Sequence, residues 1–240
     1  MILAEMTSPE IDALPRDIVV IIPVASCEQH SLHLPVFTDS LIGSEVARRV
    51  HERCPNDVLV LPVQWLGYSQ HHIRYPGTVS AGSETHLLLM MDIVACMVGH
   101  GFKKILILNS HGGNGANISV LLQRLMERYG DEGVEFYSRW AWASGDKLDA
   151  IRELGGAGSG HAGETETSMI MAMRPDLVRT ELMRRLKPNP ASLSTAIREG
   201  KRTFAEAGGP EAYFGWPADA TAEEGKRTVE ILGRMLEEAV

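Results

Sequence analysis

A continuous apolar run near the N-terminus constrains the fold more than any other feature of the sequence. Residues 17–24 read Asp-Ile-Val-Val-Ile-Ile-Pro-Val and lack the polar alternation of a strand that faces water on one side. Such a strand is buried on both faces, which is typical of a parallel sheet covered by helices. Similar runs follow at 57–63 and 103–108, with a weaker one at 134–137.

Segments with helical periodicity separate these runs. Helices are expected over 40–50, 83–97 and 223–238, and after Asn117 the apolar residues follow the spacing of one buried helical face. Strands that alternate with helices in this way are joined by crossover connections and lie parallel. The sequence therefore predicts an α/β fold, a three-layer α/β/α sandwich with a mainly parallel central sheet, in a single domain spanning 1–240.

Residues 186–217 interrupt the alternation. The prolines and glycines that break every candidate helix there are Pro188, Pro190, Gly208, Gly209, Pro210 and Pro217. Irregular segments of this length are uncommon unless they cover a site or an interface. We expect a long excursion over the surface, and two interpretations stay open: a plain connection, or a lid or subunit contact.

The charge balance and the apolar pattern exclude several classes of function. Lysine and arginine number 23 against 31 acidic residues, which gives a net charge of −8, so no basic excess is present to bind nucleic acid. No apolar run approaches the roughly 20 residues that span a bilayer. Three cysteines without a C-x-x-C pair and an acidic N-terminal segment are typical of a cytoplasmic protein. We expect no nucleic-acid partner and no membrane partner.

Polar side chains concentrate where the predicted strands end. The segment after the first strand carries Glu28, His30, His33 and Asp39 within thirteen residues, and residues 109–114, after the third strand, read Asn-Ser-His-Gly-Gly-Asn. Open parallel sheets place their chemistry beyond the carboxyl ends of the strands. Carboxylates and imidazoles gathered there are the donors that divalent metal ions prefer.

Other interpretations of these residues stay open. A single histidine after a strand is usually a hydrogen-bonded loop residue. The glycine-rich turn around His111 leads into a helix and could hold a phosphate on its N–H groups, although it matches neither the Rossmann fingerprint nor the P-loop. A third cluster, 160–168, brings His161, Glu164 and Glu166 to a helix start, where the acids would also favour the positive end of the helix dipole.

Taken in order, the three clusters resemble the creatininase family of metal-dependent amidohydrolases. The family pattern is E-Q-H-x-x-H-L-P-x-x-T-D, a P-G-T turn, N-G-H-x-x-N and H-x-G-x-x-E-T-S. The matching positions are Glu28–His30, His33–Pro35, Thr38–Asp39, Pro76–Thr78, Asn109–His111, Asn114, His161–Gly163 and Glu166–Ser168. The resemblance implies a three-layer α/β sandwich and a homo-oligomer, commonly a hexamer.

The resemblance also implies a site with two divalent metal ions, zinc, manganese or iron. Glu28 and His111 would hold one ion, His30 and Glu166 the other, and Asp39 would bridge them. Two neighbouring ions lower the pKa of a shared water and polarise the carbonyl that it attacks. An amide can then be hydrolysed without a protein nucleophile.

Candidates for proton transfer and substrate binding follow. His161 is the expected proton shuttle to the leaving nitrogen, because an ordinary histidine pKa of about 6.5 suits both directions of transfer. Glu164 is a second catalytic candidate, and His71 precedes the P-G-T turn as a further pocket residue. The substrate-binding candidates are His72, Arg74, Gly112, Asn114 and Trp142.

The sequence departs from the creatinine hydrolases at two places. Gly113 stands where those enzymes carry a metal-binding glutamate, for which Glu166 is the proposed replacement, and Ala157–Gly160 replace their tryptophan and acidic residues. The H-G-G-N form resembles the family branches that deformylate a formamidopyrimidine nucleotide or trim the peptide-derived cofactor mycofactocin. The sequence thus predicts a divergent, metal-dependent amidohydrolase that cleaves a non-peptide C–N bond in a small cyclic amide or formamide. A metal-dependent phosphoester hydrolase and a non-catalytic ligand-binding protein stay open as alternatives.

Overall fold

The computed structural model describes residues 1–141 and 158–240. Within them, four parallel strands form the central sheet in the order β2-β1-β3-β4. The strands are β1 Val19–Val24, β2 Val58–Val60, β3 Lys104–Asn109 and β4 Glu135–Trp140. All four predicted runs form strands, but β2 is shorter than the expected 57–63. It stops just before Pro62, which has no N–H to donate to a ladder.

Eight α-helices accompany the sheet in the described part of the chain. They are α1 Ser8–Asp12, α2 Thr38–Arg53, α3 Ser83–Gly99, α4 Gly115–Tyr129, α5 Glu164–Met173, α6 Thr180–Met183, α7 Leu193–Arg198 and α8 Ala222–Glu237. The four predicted helices correspond to α2, α3, α4 and α8. None of the helices described is long and apolar enough to cross a membrane.

The sheet separates two apolar layers. Alternate residues of β1 point to opposite faces, so that Val19 and Ile21 pack with the layer of α2, α5 and α8, whereas Val20 and Ile22 pack with the layer of α3 and α4. All four side chains are buried. Helices on both faces of a parallel sheet confirm the predicted three-layer α/β sandwich.

The strand order indicates where a ligand site of such a sheet lies. From β1 the chain moves to β2 on one side, and then returns to β3 on the other side, so the order reverses between β1 and β3. Their last residues, Val24 and Asn109, are paired, and Ser110 N donates a 2.9 Å hydrogen bond to Val24 O. In open α/β sheets the crevice beyond such a reversal is the usual ligand site.

Backbone hydrogen bonds join the two ends of the excursion at 186–217. Asn189 N donates to Gly215 O at 2.9 Å, and Gly215 N donates to Asn189 O at 2.7 Å. Between them lies α7. Ser192 caps its start, because the Ser192 hydroxyl accepts a hydrogen bond from Thr195 N in the first turn. The expectation that no helix forms in this segment is therefore wrong over these six residues.

Candidate active site

Asp39 lies at the centre of a buried cluster at the carboxyl ends of β1 and β3. It is the second residue of α2. Its Oδ1 lies 3.3 Å from His30 Nε2, and its Oδ2 lies 3.0 Å from His111 Nδ1. Ser26 Oγ donates a 2.7 Å hydrogen bond to the same Oδ2. One carboxylate thus faces histidines from two different strand ends.

Both of these histidines have their outer ring nitrogen anchored by the backbone. His30 Nδ1 donates to Glu28 O at 3.0 Å, and His111 Nε2 donates to Tyr68 O at 3.0 Å. Because a carbonyl oxygen can only accept, the inner nitrogens, Nε2 of His30 and Nδ1 of His111, carry the lone pairs when the rings are neutral. Metal-binding histidines in proteins are oriented in this way.

Glu28 forms the side of the cluster next to His111. Its Oε1 lies 3.3 Å from His111 Nδ1, 3.4 Å from His72 Nε2 and 3.7 Å from His161 Nδ1. Its Oε2 is buried and makes no hydrogen bond with any described residue. A buried carboxylate oxygen without a donor is unfavourable, so this oxygen has room for a further positive group.

His161 reaches the cluster from the loop before α5. Its Nε2 lies 2.9 Å from both Gln29 O and Gln29 Nε2, so it either donates to the carbonyl or accepts from the side-chain amide, and its Nδ1 faces inward. Its ring centroid lies 4.4 Å from that of His30. The residues that follow these two histidines have left-handed backbone, with a φ of 57° at Ser31 and 52° at Ala162. Such conformations are uncommon outside glycine and concentrate at functional sites.

Glu166 lies on the other side of His30. Its Oε2 is 3.6 Å from His30 Nε2 and accepts a 2.6 Å hydrogen bond from Ala162 N, so the carboxylate also caps the start of α5. Glu164 precedes it by two residues, which is about 200° around a helix. Glu164 is fully buried but belongs to none of the donor groups found among the described residues. The catalytic place of Glu164 stays a prediction.

The charges of the cluster act on one another. Burial opposes the charged form of His30, yet the Asp39 and Glu166 carboxylates raise its pKa to about 10. Burial raises the pKa of Glu166 to about 7. Burial and the charged His30 ring lower the pKa of His161 to about 3. The expected ordinary pKa of His161 is therefore wrong for the protein without metal, in which this ring is neutral at pH 7.

Three groups of donor atoms lie close enough to share an ion. The atoms of each group are within 4.8 Å of one another, and the groups are Glu28–His30–His161, Glu28–His71–His111 and His30–Asp39–Glu166. Carboxylate oxygens with imidazole nitrogens suit zinc, manganese and iron. An ion would also satisfy Glu28 Oε2 and His30 Nε2, which are buried without a hydrogen bond among the described residues. The residues present thus fit the divalent ions that the sequence predicts.

Comparison with known proteins identifies the family. The model of the creatininase family, described as creatinine amidohydrolase, matches residues 4–240. The chain belongs to the creatininase family. This result confirms the resemblance drawn from the motifs and the expected enzyme class, a hydrolase acting on C–N bonds.

Relatives within the creatininase family cover most of the chain. A mycofactocin precursor peptide peptidase from Mycobacterium tuberculosis is 31% identical over 234 residues, covering 92% of this chain and 82% of that protein. A creatinine amidohydrolase from Pseudomonas putida is 30% identical over 193 residues, covering 72% of each. A crystal structure of creatinine amidohydrolase matches at 25% identity with a TM-score of 0.80, over 99% of this chain and 95% of that one. These identities and coverages are those of a divergent member of the creatininase family.

Among the predicted substrate-binding residues, the structure brings His72 to the cluster. Asn114 is placed differently. Its side chain is fully buried, its Nδ2 donates to Ala25 O at 2.9 Å, and its Oδ1 accepts from Tyr68 N at 2.9 Å. The amide therefore ties together the segments behind His111 and does not face a pocket.

The remaining predicted residues lie outside the cluster or outside the described chain. Arg74 and Gly112 are exposed, and Trp142 is outside the described residues. His33, a further histidine of the same motif, is engaged elsewhere. Its Nε2 forms a 2.8 Å hydrogen bond with Thr167 Oγ1, so it fastens α5 to the loop after β1.

Two residues of the cluster were not predicted as site residues. Gln29 Nε2 donates a 2.9 Å hydrogen bond to His72 Nδ1 and so orients that ring. The only sequence signal for Gln29 is its place inside the E-Q-H motif. The Phe204 ring centroid lies 4.7 Å from His72 and 5.4 Å from His161. No motif surrounds Phe204, and only its place in the excursion at 186–217 connects it with a site.

Proposed function

We propose that this chain is a metal-dependent amidohydrolase in which Glu28 and His111 hold one divalent ion, His30 and Glu166 hold a second, and Asp39 binds both. Asp39 carries the proposal, because its two oxygens face His30 and His111 at 3.3 and 3.0 Å. Two solved creatininase structures, 24% identical to this chain, are described as a manganese form and a zinc–zinc form. When bound, such ions lower the pKa of water and polarise the substrate carbonyl.

We assign proton transfer to His161. Its Nδ1 lies 3.7 Å from Glu28 Oε1, on the side of the proposed ions, and is free to accept a proton when Nε2 donates to Gln29 O. A proton taken up at Nδ1 is delivered to the leaving nitrogen, because protonation is what lets an amide nitrogen depart.

The proposed substrate is a small cyclic amide or a formamide, as the sequence predicts. A peptide bond is a second candidate, which is favoured by relatives named mycofactocin precursor peptide peptidase in three mycobacterial species at 31–32% identity. The two candidates need the same metal ligands and the same proton transfer. They differ in the room that the substrate requires around His161.

We further propose that the excursion at 186–217 is a lid. The Phe204 side chain is almost fully buried over His72 and His161. The cleft between Phe204 and His71 has a volume of about 20 Å³, which is enough for little more than one water molecule. A substrate that enters between Phe204 and His71 would therefore require Phe204 to move. Phe204→Ala is expected to change KM with the metal content unchanged, and an unaltered KM would contradict the lid.

Metal analysis combined with Asp39→Ala tests the metal site. Protein purified without chelators should contain zinc, manganese or iron, and Asp39→Ala should lose most of that metal and about 1,000-fold in activity, since metal assistance supplies several kcal/mol. Asp92→Ala, a change at an exposed aspartate of α3, is the matched control. Metal-free wild-type protein, or an Asp39→Ala variant with unchanged metal content, would contradict the proposal. A panel of cyclic amides, formamides, short peptides and phosphoesters separates the alternatives.

We also propose that the enzyme works on small molecules as a homo-oligomer in the cytoplasm. Large apolar side chains that are about half exposed, Leu32, Trp65 and Leu88, support the assembly, because a second copy would cover them. Light scattering on the purified protein gives the number of copies directly. A monomer at micromolar concentration would contradict the assembly.

A further inference from the structure

His71 is the member of the three donor groups that the family motifs do not account for. It lies on the short 3₁₀ helix Gln70–His72, and its side chain is partly buried. One of its ring nitrogens lies within 4.8 Å of a Glu28 oxygen and of a His111 nitrogen. Ligands of one tetrahedral zinc ion, each 2.0–2.2 Å from the metal, are about 3.3–3.6 Å apart. Shortening these separations by at most about 1.5 Å, through rotation of the side chains, would therefore bring all three atoms to bonding distance.

The ring of His71 is free to take this role, whereas the ring of His72 is engaged. Neither ring nitrogen of His71 forms a hydrogen bond with a described residue. His72 Nδ1 accepts a hydrogen bond from Gln29 Nε2, and its other nitrogen faces Glu28 Oε1 at 3.4 Å. The ring of His71 lies nearly parallel to that of His111, with centroids 6.0 Å apart. This places two imidazoles side by side at the same end of the cluster.

Gly113 lies next to both His111 and His71 and places no side chain between them. A Cβ at Gly113 would lie 2.3 Å from His111 Nε2 and 2.3 Å from Tyr68 O, so no side chain fits there without a shift of the backbone. The same Cβ would lie 3.0 Å from His71 Cε1. The ring of His71 therefore borders the space that a side chain at Gly113 would enter.

We propose that His71 is a ligand of the ion that Glu28 and His111 hold, and that it makes this half of the site prefer zinc to manganese. The inference rests on the proposed function, since it requires that the cluster binds metal. With His71, this half of the site offers two imidazoles beside the carboxylates of Glu28 and Asp39. The other half offers one imidazole, from His30, and two carboxylates. Imidazole ligands suit zinc, and carboxylate-rich sites suit manganese.

Titration of chelator-stripped protein with zinc or with manganese alone tests the inference. His71→Ala is expected to weaken zinc binding at one site per chain by more than about 100-fold, because loss of a residue outside the first coordination shell typically costs 10–100-fold. Its preference for zinc over manganese should fall at the same site. His71→Gln is expected to behave in the same way. His100→Ala, a change at an exposed histidine at the end of α3, should bind zinc like the wild type.

The outcomes separate this inference from the proposed function. Wild-type protein that binds no ion overturns both. Wild-type protein that binds zinc, with folded His71 variants within about 100-fold of its affinity, overturns only the role of His71. Melting temperatures without metal show whether the variants fold. If they do not, a crystal structure of zinc-loaded wild-type protein decides: a His71 nitrogen about 2.1 Å from zinc supports the inference, and a nitrogen outside bonding distance overturns it.

Discussion

Opposite charges meet in two regions of this molecule, and only one of the regions is shielded from water. At the carboxyl end of the sheet, the His30 and Asp39 side chains are 0% and 3% exposed and face each other at 3.3 Å. On the outer side of α2, Arg48 pairs with Glu45 and Glu52, and the Arg48 and Glu52 side chains are 44% and 49% exposed. In the sequence, both regions consist of acidic residues with basic residues close to them. Burial is what makes them different.

The difference follows from what water does for an unpaired charge. On α2, water solvates either partner when the other is removed, so the pair contributes little. In the buried cluster, removal of one partner leaves the other charge without solvent, which is strongly unfavourable. The buried region should therefore control stability, pH response and metal binding, and the exposed region should control none of them.

The largest expected effect comes from removing the central carboxylate without metal present. Asp39→Asn should lower the free energy of unfolding by about 3–5 kcal/mol, because His30 and His111 lose the carboxylate that faces both of them. Urea unfolding in excess chelator measures the change. Asp92→Asn on the exposed side of α3 is the control, with an expected change within about 0.5 kcal/mol. A fall of less than about 1 kcal/mol in the free energy of unfolding of Asp39→Asn would contradict the comparison, because exposed ion pairs contribute that little.

The second effect is a pH dependence that the surface pairs lack. The folded-state pKa of His30 is raised to about 10, so its contribution to stability is complete below its unfolded pKa of about 6.5 and is lost as pH rises toward 10. The metal-free protein should thus lose up to about 1.4 kcal/mol per pH unit from this group between pH 7 and 10. The raised pKa of His111 acts in the same direction.

Comparison of the wild type with His30→Gln isolates this slope. Urea unfolding at pH 7, 8, 9 and 10 should show a smaller loss of stability in His30→Gln, because the substituted side chain does not titrate. Glu166 has a folded-state pKa raised to about 7 and an unfolded pKa of about 4.3. Its contribution to stability is therefore lost as pH rises from about 4.3 to 7, which is mainly below the pH range of the experiment. Parallel curves for the two proteins would show that His30 carries no such contribution.

Two neighbouring glycines give the third test. Gly113→Ala would place a Cβ 2.3 Å from His111 Nε2 and Tyr68 O, whereas a Cβ at Gly112 meets nothing within 4 Å. Gly113→Ala should cost about 1–3 kcal/mol of stability through overpacking and weaken metal binding through His111. Gly112→Ala should change stability by less than about 0.5 kcal/mol. Equal melting temperatures for the two variants would show that the close approach at Gly113 is relieved without cost.

Much of the fold and part of the cluster could be predicted from the sequence, for a physical reason. The continuous apolar runs predict buried parallel strands, and the carboxyl ends of adjacent strands meet at one edge of the sheet. Motifs that follow β1 and β3 were therefore expected to converge, and the Asp39 carboxylate does lie within 3.3 Å of both His30 and His111.

Some side chains could not be placed from the sequence, because their positions depend on how a helix is rotated about its axis or on how a distant segment packs. No local sequence pattern records either. Glu166 lies 3.6 Å from His30 because of the rotation of α5 about its axis, and the spacing of acids in the sequence does not record that rotation. Asn114 lies in the motif but turns its amide to the backbone behind His111. Phe204 reaches the cluster only because the excursion at 186–217 folds back over it.

The smallest expected change in stability comes from the exposed ion pairs of α2. Arg48→Ala removes the pairs with Glu45 and Glu52 within α2, and both acids remain solvated afterwards. The free energy of unfolding should fall by less than about 1 kcal/mol, and 0.5 M salt should reduce even that difference, because exposed pairs are screened. Metal content should not change, since the buried cluster does not contact Arg48. A loss above about 3 kcal/mol that persists in salt would show that charge pairing, and not burial, separates the two regions.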